Sequence, residues 1–172
     1  MGEMIPLFTE RNVEPFNSPL EIGLRTATIL AEAYPEAFSL QRLVILDYLV
    51  VHSDDVEGGP AGLHPKTPHR SGELLVRRDA IQKGLYLYMS RNLVSRQFRE
   101  AGILYAATEY TGAFLDSLDA QYTHALRTRA DWLVSSFGSM PDRELDEFAR
   151  SHIDRWGAEF EMESVLWLED ST

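Results

Sequence analysis

The sequence predicts a mainly α protein with a small β-hairpin wing, a winged helix-turn-helix-like core followed by C-terminal helices. Three observations carry that class. Apolar Leu74, Leu75, Ile81, Leu85, Tyr88 and Met89 recur at helical spacing. Val94, Arg96 and Phe98 then alternate, break at Glu100-Ala101-Gly102, and resume at Ile103 and Tyr105, the pattern of a short hairpin with glycine in its turn. Two helical segments precede this unit and helical periodicity follows it.

Charge marks the same stretch. Between Lys66 and Arg99 there are eight basic residues (Lys66, Arg70, Arg77, Arg78, Lys83, Arg91, Arg96, Arg99) against two acidic ones, Glu73 and Asp79, a net charge of +6. The whole chain carries −11, so the remainder carries −17. A basic helix and hairpin inside an acidic protein is a local feature that net charge conceals. The overall sign argues against coating nucleic acid with the whole surface and leaves DNA contact to a localised patch.

Taken in order, residues 1–16 have little periodicity. Ile5, Leu7, Phe8, Val13 and Phe16 are too apolar for an idle tail, so they read as an arm that packs on this protein or on a partner. Asn17 or Ser18 caps the first helix, with Pro19 in its first turn and Glu21 at the positive end of its dipole. Leu20, Leu24, Ala27, Leu30 and Ala31 form its expected stripe, and Tyr34-Pro35 ends it. Ser39 caps a second helix running from Leu40 to about His52. It is apolar on more than one side and is therefore expected to be central. Asp47 within it reads as a core carboxylate with a partner, ahead of an interface contact, because buried charges are usually paired.

Residues 53–70, rich in glycine and proline, read as a loop. A helix-turn-helix ordinarily has only a few residues at this point, so the loop is the main departure from a standard DNA reader. After the hairpin, Phe114, Leu115, Leu118, Tyr122, Leu126, Ala130, Leu133 and Val134 predict helix from Tyr110 to Phe137, divided near Asp119-Ala120. A turn at 138–142 leads into a last helix from Pro141 to Trp156, stopped by Gly157. From Glu159 to Asp170 acids alternate with Phe160, Met162, Leu166, Trp167 and Leu168. That reads as an edge strand or as a segment that orders on a partner. The expected divisions are an arm at 1–16, a core at 17–109 containing the loop 53–70, a helical part at 110–157 and an acidic-aromatic tail at 158–172.

Catalytic signatures are missing: there is no G-x-S-x-G, no phosphate-loop lysine and no G-x-G-x-x-G. Without cysteine there is no disulfide, thiolate metal site or cysteine nucleophile. A metal set can be written from His52, Asp54, Asp55, His64 and His69, but their spacing matches no known ligand set and a solvated loop is favoured. No enzyme and no cofactor are expected. The candidate nucleic-acid contacts are Lys66, Arg70, Arg77, Arg78, Lys83, Arg91, Arg96 and Arg99, with Arg77 and Arg78 foremost. Charge alone leaves three readings open: DNA, an acidic protein, or this chain's own acids. Tyr86, Tyr88 and Tyr105 are read as core residues with a wet hydroxyl ahead of base-stacking platforms. Ile5, Leu7, Phe8, Phe160 and Trp167 are the candidate protein contacts, Trp167 as an anchor. No apolar run approaches the roughly 20 residues of a spanning helix, and the acidic N-terminus is unlike a signal peptide. The expected location is cytoplasmic, with no membrane contact.

Several segments together resemble a known family: Asn17-Ser18-Pro19-Leu20-Glu21 with Gly23-Leu24-Arg25, Leu40-Gln41-Arg42-Leu43-Val44 with Asp47-Tyr48-Leu49-Val50-Val51-His52-Ser53, Leu63-His64-Pro65, and Arg70-Ser71-Gly72-Glu73-Leu74-Leu75-Val76-Arg77-Arg78. The likeness continues through Gly84-Leu85 and Ser90-Arg91 to Trp156-Gly157 and Glu159-Phe160-Glu161. The chain resembles the small middle component of bacterial ABC-three-component systems, built around an SMC-like ABC ATPase and akin to the small subunit of Lamassu-type defence systems. The resemblance implies a non-enzymatic adaptor between that ATPase and an effector, acting against phage or plasmids, with double-stranded DNA as a further candidate partner. It transfers no catalytic residue. The alternative reading is a stand-alone winged-helix transcription regulator, which implies a homodimer and a palindromic site.

Overall fold

A computed structural model describes residues 18–65 and 70–152; for residues 70–76 it describes the backbone alone. The order of elements is α1 (Pro19–Ala33), β1 (Phe38–Ser39), α2 (Leu40–Val51), a 3-10 turn (Ser53–Asp55), α3 (Arg70–Ser90), β2 (Val94–Arg99), β3 (Gly102–Ala107), α4 (Thr111–Asp116), α5 (Gln121–Phe137) and α6 (Asp142–Ser151). The fold is mainly α with a small β wing, the class read from the sequence.

Local chemistry sets the helix starts. Ser18 accepts the Glu21 amide at 3.3 Å and Ser39 accepts the Arg42 amide at 3.1 Å, each satisfying one of the donors a helix N-terminus leaves over. Helix α2 is central as expected, with every residue from Arg42 to Val51 buried. The stripe expected on α1 is corrected. Leu20 is exposed, whereas Ile22 and Ile29 are in the core. Helix α1 packs on α3, α5 and α2, so burial covers more of its circumference than one stripe.

At the α1–α3 crossing the two backbones nearly touch. A Cβ on Gly84 would lie 2.8 Å from the Gly23 nitrogen, and one on Gly23 would lie 2.4 Å from a Tyr88 ring carbon. Tyr88 closes the same contact by donating its hydroxyl to the Leu20 carbonyl at 3.0 Å. At its C-terminus α3 turns through Asn92, whose φ of 59° is left-handed, a conformation that asparagine tolerates well.

Strands β2 and β3 pair antiparallel from Val94↔Ala107 to Arg99↔Gly102, and β1 adds Phe38↔Tyr105 and Ser39↔Leu104, giving the order β1-β3-β2. Gly102, at φ 113°, closes the hairpin where a side chain would be strained. Thr111 ties both ends of this unit together, since its buried hydroxyl donates to the Leu93 carbonyl at 2.7 Å and accepts the Thr108 amide at 2.9 Å.

The loop after α2 is more structured than glycine and proline suggested. A 3-10 turn opens it, and the amides of Leu63 and His64 return to the Val51 carbonyl at 2.9 and 3.2 Å. Helix α6 begins at Asp142, one residue past Pro141, and docks on α2 through Gln41 and Asp146 at 2.8 Å. Arg42 joins these parts. It donates to the carbonyls of Phe137, Gly138 and Met140 and to Asp142, all within 2.7–2.9 Å, capping α5 where carbonyls lack helical partners. The arm at 1–16, the tail at 158–172 and the expected helical positions Ile153 and Trp156 lie outside the described residues.

Candidate functional site

Two polar regions stand out, one inside the helical body and one on its surface. The internal region centres on Asp47, which is 0% exposed. Arg25 grips it with two parallel bonds, Nε to Oδ1 at 2.8 Å and Nη2 to Oδ2 at 3.0 Å. Arg77 donates through Nη1 to the same Oδ2, its guanidinium 5.6 Å from the centre of the Tyr48 ring. Three helices thus each contribute one charge: α1 gives Arg25, α2 gives Asp47 and α3 gives Arg77. Burial alone would push the Asp47 carboxyl up, but the two guanidiniums outweigh it and hold Asp47 below the usual carboxylate range. Burial likewise works against the charged form of Arg25, yet Asp47 and then Tyr122 raise it.

The folded-back loop covers this centre. Tyr48 donates to Asp55 at 2.5 Å, and His64 Nε2 lies 2.9 Å from the Tyr122 hydroxyl with the two rings stacked at 6.1 Å. Burial, then the positive charge of Arg25, bring His64 down to about 4, so its ring is neutral at pH 7. Burial also raises the Tyr122 hydroxyl. Two arginines around one carboxylate, roofed by neutral rings, form an arrangement that holds helices in place. Among the described residues no group of three or more histidines and acids is placed to hold a metal ion; His69 lies outside them.

The surface region is the outer face of α3 together with the hairpin. Among the described side chains of α3 the exposed ones are Asp79, Lys83, Tyr86 and Ser90, with Lys83 paired to Asp79 at 2.9 Å. On the hairpin, the cross-strand pairs place Arg96, Phe98, Ile103 and Tyr105 on one face and Ser95, Gln97 and Arg99 on the other. Phe98 is 73% exposed and its partner Ile103 is 45% exposed. The Arg96 guanidinium lies 5.2 Å from the Phe98 ring centre, and Arg99 donates to Gln97 at 2.7 Å. Burial first, then the neighbouring Tyr86, raise the Tyr105 hydroxyl, while Arg96 opposes them. Tyr86, Arg96, Phe98 and Ile103 are therefore exposed together around the buried Tyr105, an aromatic and cationic surface across α3 and the wing.

The eight basic candidates separate on this geometry. Arg77, one of the two foremost, faces inward to Asp47, so its expected contact with phosphate or a base edge is corrected by its burial. Arg78 is half-buried and has its own interactions. Lys83, Arg91, Arg96 and Arg99 are exposed. Arg70 opens α3 with its side chain undescribed, and Lys66 lies outside the described residues, as do Ile5, Leu7, Phe8, Phe160 and Trp167. Of the tyrosines, Tyr88 and Tyr105 are buried as expected and Tyr86 is exposed. Sequence reasoning missed Arg25, the strongest partner of Asp47, and the exposed pair of Phe98 and Ile103. No local signal marks Arg25, because its carboxylate partner is 22 positions away on another helix. The pair was legible, since an apolar residue beside a tight hairpin turn has little fold to pack on.

Comparison with known proteins gives one family. The ABC-three component (ABC-3C) system Middle Component 2 family matches residues 15–159. No curated protein and no solved structure matches the chain. The matched span covers most of the sequence, and the chain belongs to the ABC-3C system Middle Component 2 family.

Proposed function

We propose that this Middle Component 2 protein is a non-enzymatic adaptor bridging an SMC-like ABC ATPase and an effector in defence against phage or plasmids. Family membership carries the reading, because a middle component of a multi-component system has protein partners. The proposal locates the protein in the cytoplasm, with its ATPase. Its helical body, fixed around Asp47, is the rigid part. Ile5, Leu7 and Phe8 of the arm, and Phe160 and Trp167 of the tail, are the apolar anchors for the two partners, since aromatic and aliphatic anchors dominate interface energy. Co-expression with an SMC-like ABC ATPase and an effector of the same system tests the bridge. The expected result is a complex in which ATPase and effector co-purify only when this chain is present. An ATPase–effector complex that forms equally well without it overturns bridging.

A second reading, direct contact with double-stranded DNA, is favoured by the exposure of Lys83, Arg91, Arg96 and Arg99 on α3 and the hairpin. Gel-shift titration of the wild type against Arg96→Glu/Arg99→Glu tests it. Loss of binding in the variant, with a salt dependence smaller by about one unit per phosphate contact removed, supports DNA contact. Equal and negligible binding by both proteins removes it. The stand-alone regulator predicts a homodimer in light scattering and a palindromic site.

A further inference from the structure

Strand β2 is an edge strand. It pairs with β3 on one side, and among the described residues nothing pairs with its other side. Proteins ordinarily cover or blunt such an edge, because its backbone donors and acceptors are a template for another strand. The edge separates two unlike faces, one carrying the exposed Phe98 and Ile103 with Arg96, the other carrying Gln97 and Arg99 with Leu104 and Ala106.

We infer that the acidic-aromatic segment Glu159–Asp170 of the same chain adds to the outer edge of β2 as a further strand when no partner is bound. The alternation at the start of the segment matches the two faces. Phe160 and Met162 share one parity, continued by Leu166 and Leu168, and Glu159, Glu161 and Glu163 the other, which Val165 and Trp167 then take over, so a strand over 159–163 places its apolar side chains beside Phe98 and Ile103 and its glutamates beside Arg99. Charge agrees as well. The segment contains five acids and no base; its glutamates meet Arg99, Arg96 lies across the strand on the Phe98 face, and Glu100 of the turn is the one opposing charge on the hairpin.

Reach permits the contact within one chain. Asp142, at the start of α6, lies 3.5 Å from Ser39 of β1. Two strand spacings, about 10 Å, separate β1 from β2, and α6 is about 15 Å long. Eight extended residues beyond His152 span about 28 Å, enough to bring Phe160 to the wing.

The inference depends on no partner, so its failure and that of the bridging function are separately visible. The test uses the full-length chain alone, at dilution, with the photo-cross-linking residue p-benzoylphenylalanine at position 98 and peptide mapping of the products. Cross-links from position 98 to residues 159–170 within one chain are the expected result. The same probe with Arg99→Glu should give a yield lower by roughly fivefold, the discrimination expected of a charge-paired strand addition. Cross-links that avoid 159–170, or that join two chains only, overturn the inference. Hydrogen exchange gives the second measurement. In Phe160→Asp/Leu166→Asp, amides between Val94 and Arg99 should exchange about tenfold faster than in wild type while those of α2 stay unchanged. Unchanged exchange along β2 overturns it too.

Discussion

Arginine serves opposite ends in two parts of this molecule. At the Asp47 centre two guanidiniums, one of them wholly buried and the other nearly so, hold three helices on one carboxylate. On the hairpin Arg96 and Arg99 lie in water beside an exposed phenylalanine and a glutamine. Arg77 and Arg96 are nineteen positions apart in the same basic stretch, and charge counting makes them equivalent. The difference lies in what opposes each. A buried cation needs a carboxylate in fixed geometry, and removing that partner leaves an uncompensated charge. An exposed one is solvated whether or not anything meets it, so its removal costs the fold little and is read in binding. The internal arginines therefore belong to stability, and the external ones are those to which the proposed contacts are assigned.

The largest effect that would break this contrast is expected from Asp47→Ala. It leaves two guanidiniums buried without their carboxylate and should cost about 3–5 kcal/mol in urea unfolding. A loss below about 1 kcal/mol would mean that water reaches the centre. Next is Gly84→Ala, where the added methyl meets the backbone of Gly23. Overpacking there should cost about 1–3 kcal/mol in thermal or urea unfolding, through the helix crossing that brings Arg77 to Asp47.

A smaller effect follows from His64. Its folded value of about 4 lies below the usual 6.5, so the unfolded chain takes up the proton first. The stability due to neutral His64 is complete above pH 6.5 and is lost as pH falls from 6.5 toward 4. After allowance for the part of the ring that water screens, that loss is about 1–2 kcal/mol. His64→Gln, which can still hydrogen-bond to Tyr122, should flatten the unfolding midpoint across that window. Asp47, whose folded value is lowered, acts only at still lower pH, below the usual carboxylate range. Smallest is Arg96→Glu/Arg99→Glu, which should change stability by less than about 0.5 kcal/mol while altering binding.

Elements with local chemistry were legible in the chain. Ser18 and Ser39 as caps, the hairpin turn at Gly102 and the break between α4 and α5 near Asp119-Ala120 all depend on neighbours a few residues apart. Asp47 was recognisable as a paired core carboxylate because an acid inside an apolar helix needs a partner. Its partners were not, since Arg25 and Arg77 lie 22 and 30 positions away on other helices. The same non-locality explains the α1 stripe. Which side of α1 is buried depends on α2, α3 and α5, so Leu20 was misplaced while Ala27 and Leu30 were read correctly. The loop beyond α2 was read from its glycines and prolines, and its return to Val51 depends on backbone hydrogen bonds that no side chain announces.

The contrast between inner and outer arginines is tested most directly by comparing urea unfolding of Arg77→Ala and Arg96→Ala under identical conditions. The expected result is a loss of about 3–5 kcal/mol for Arg77→Ala and less than about 0.5 kcal/mol for Arg96→Ala. Equal losses, or an Arg77→Ala protein as stable as wild type, would contradict the assignment of Arg77 to the Asp47 centre and return it to the surface candidates.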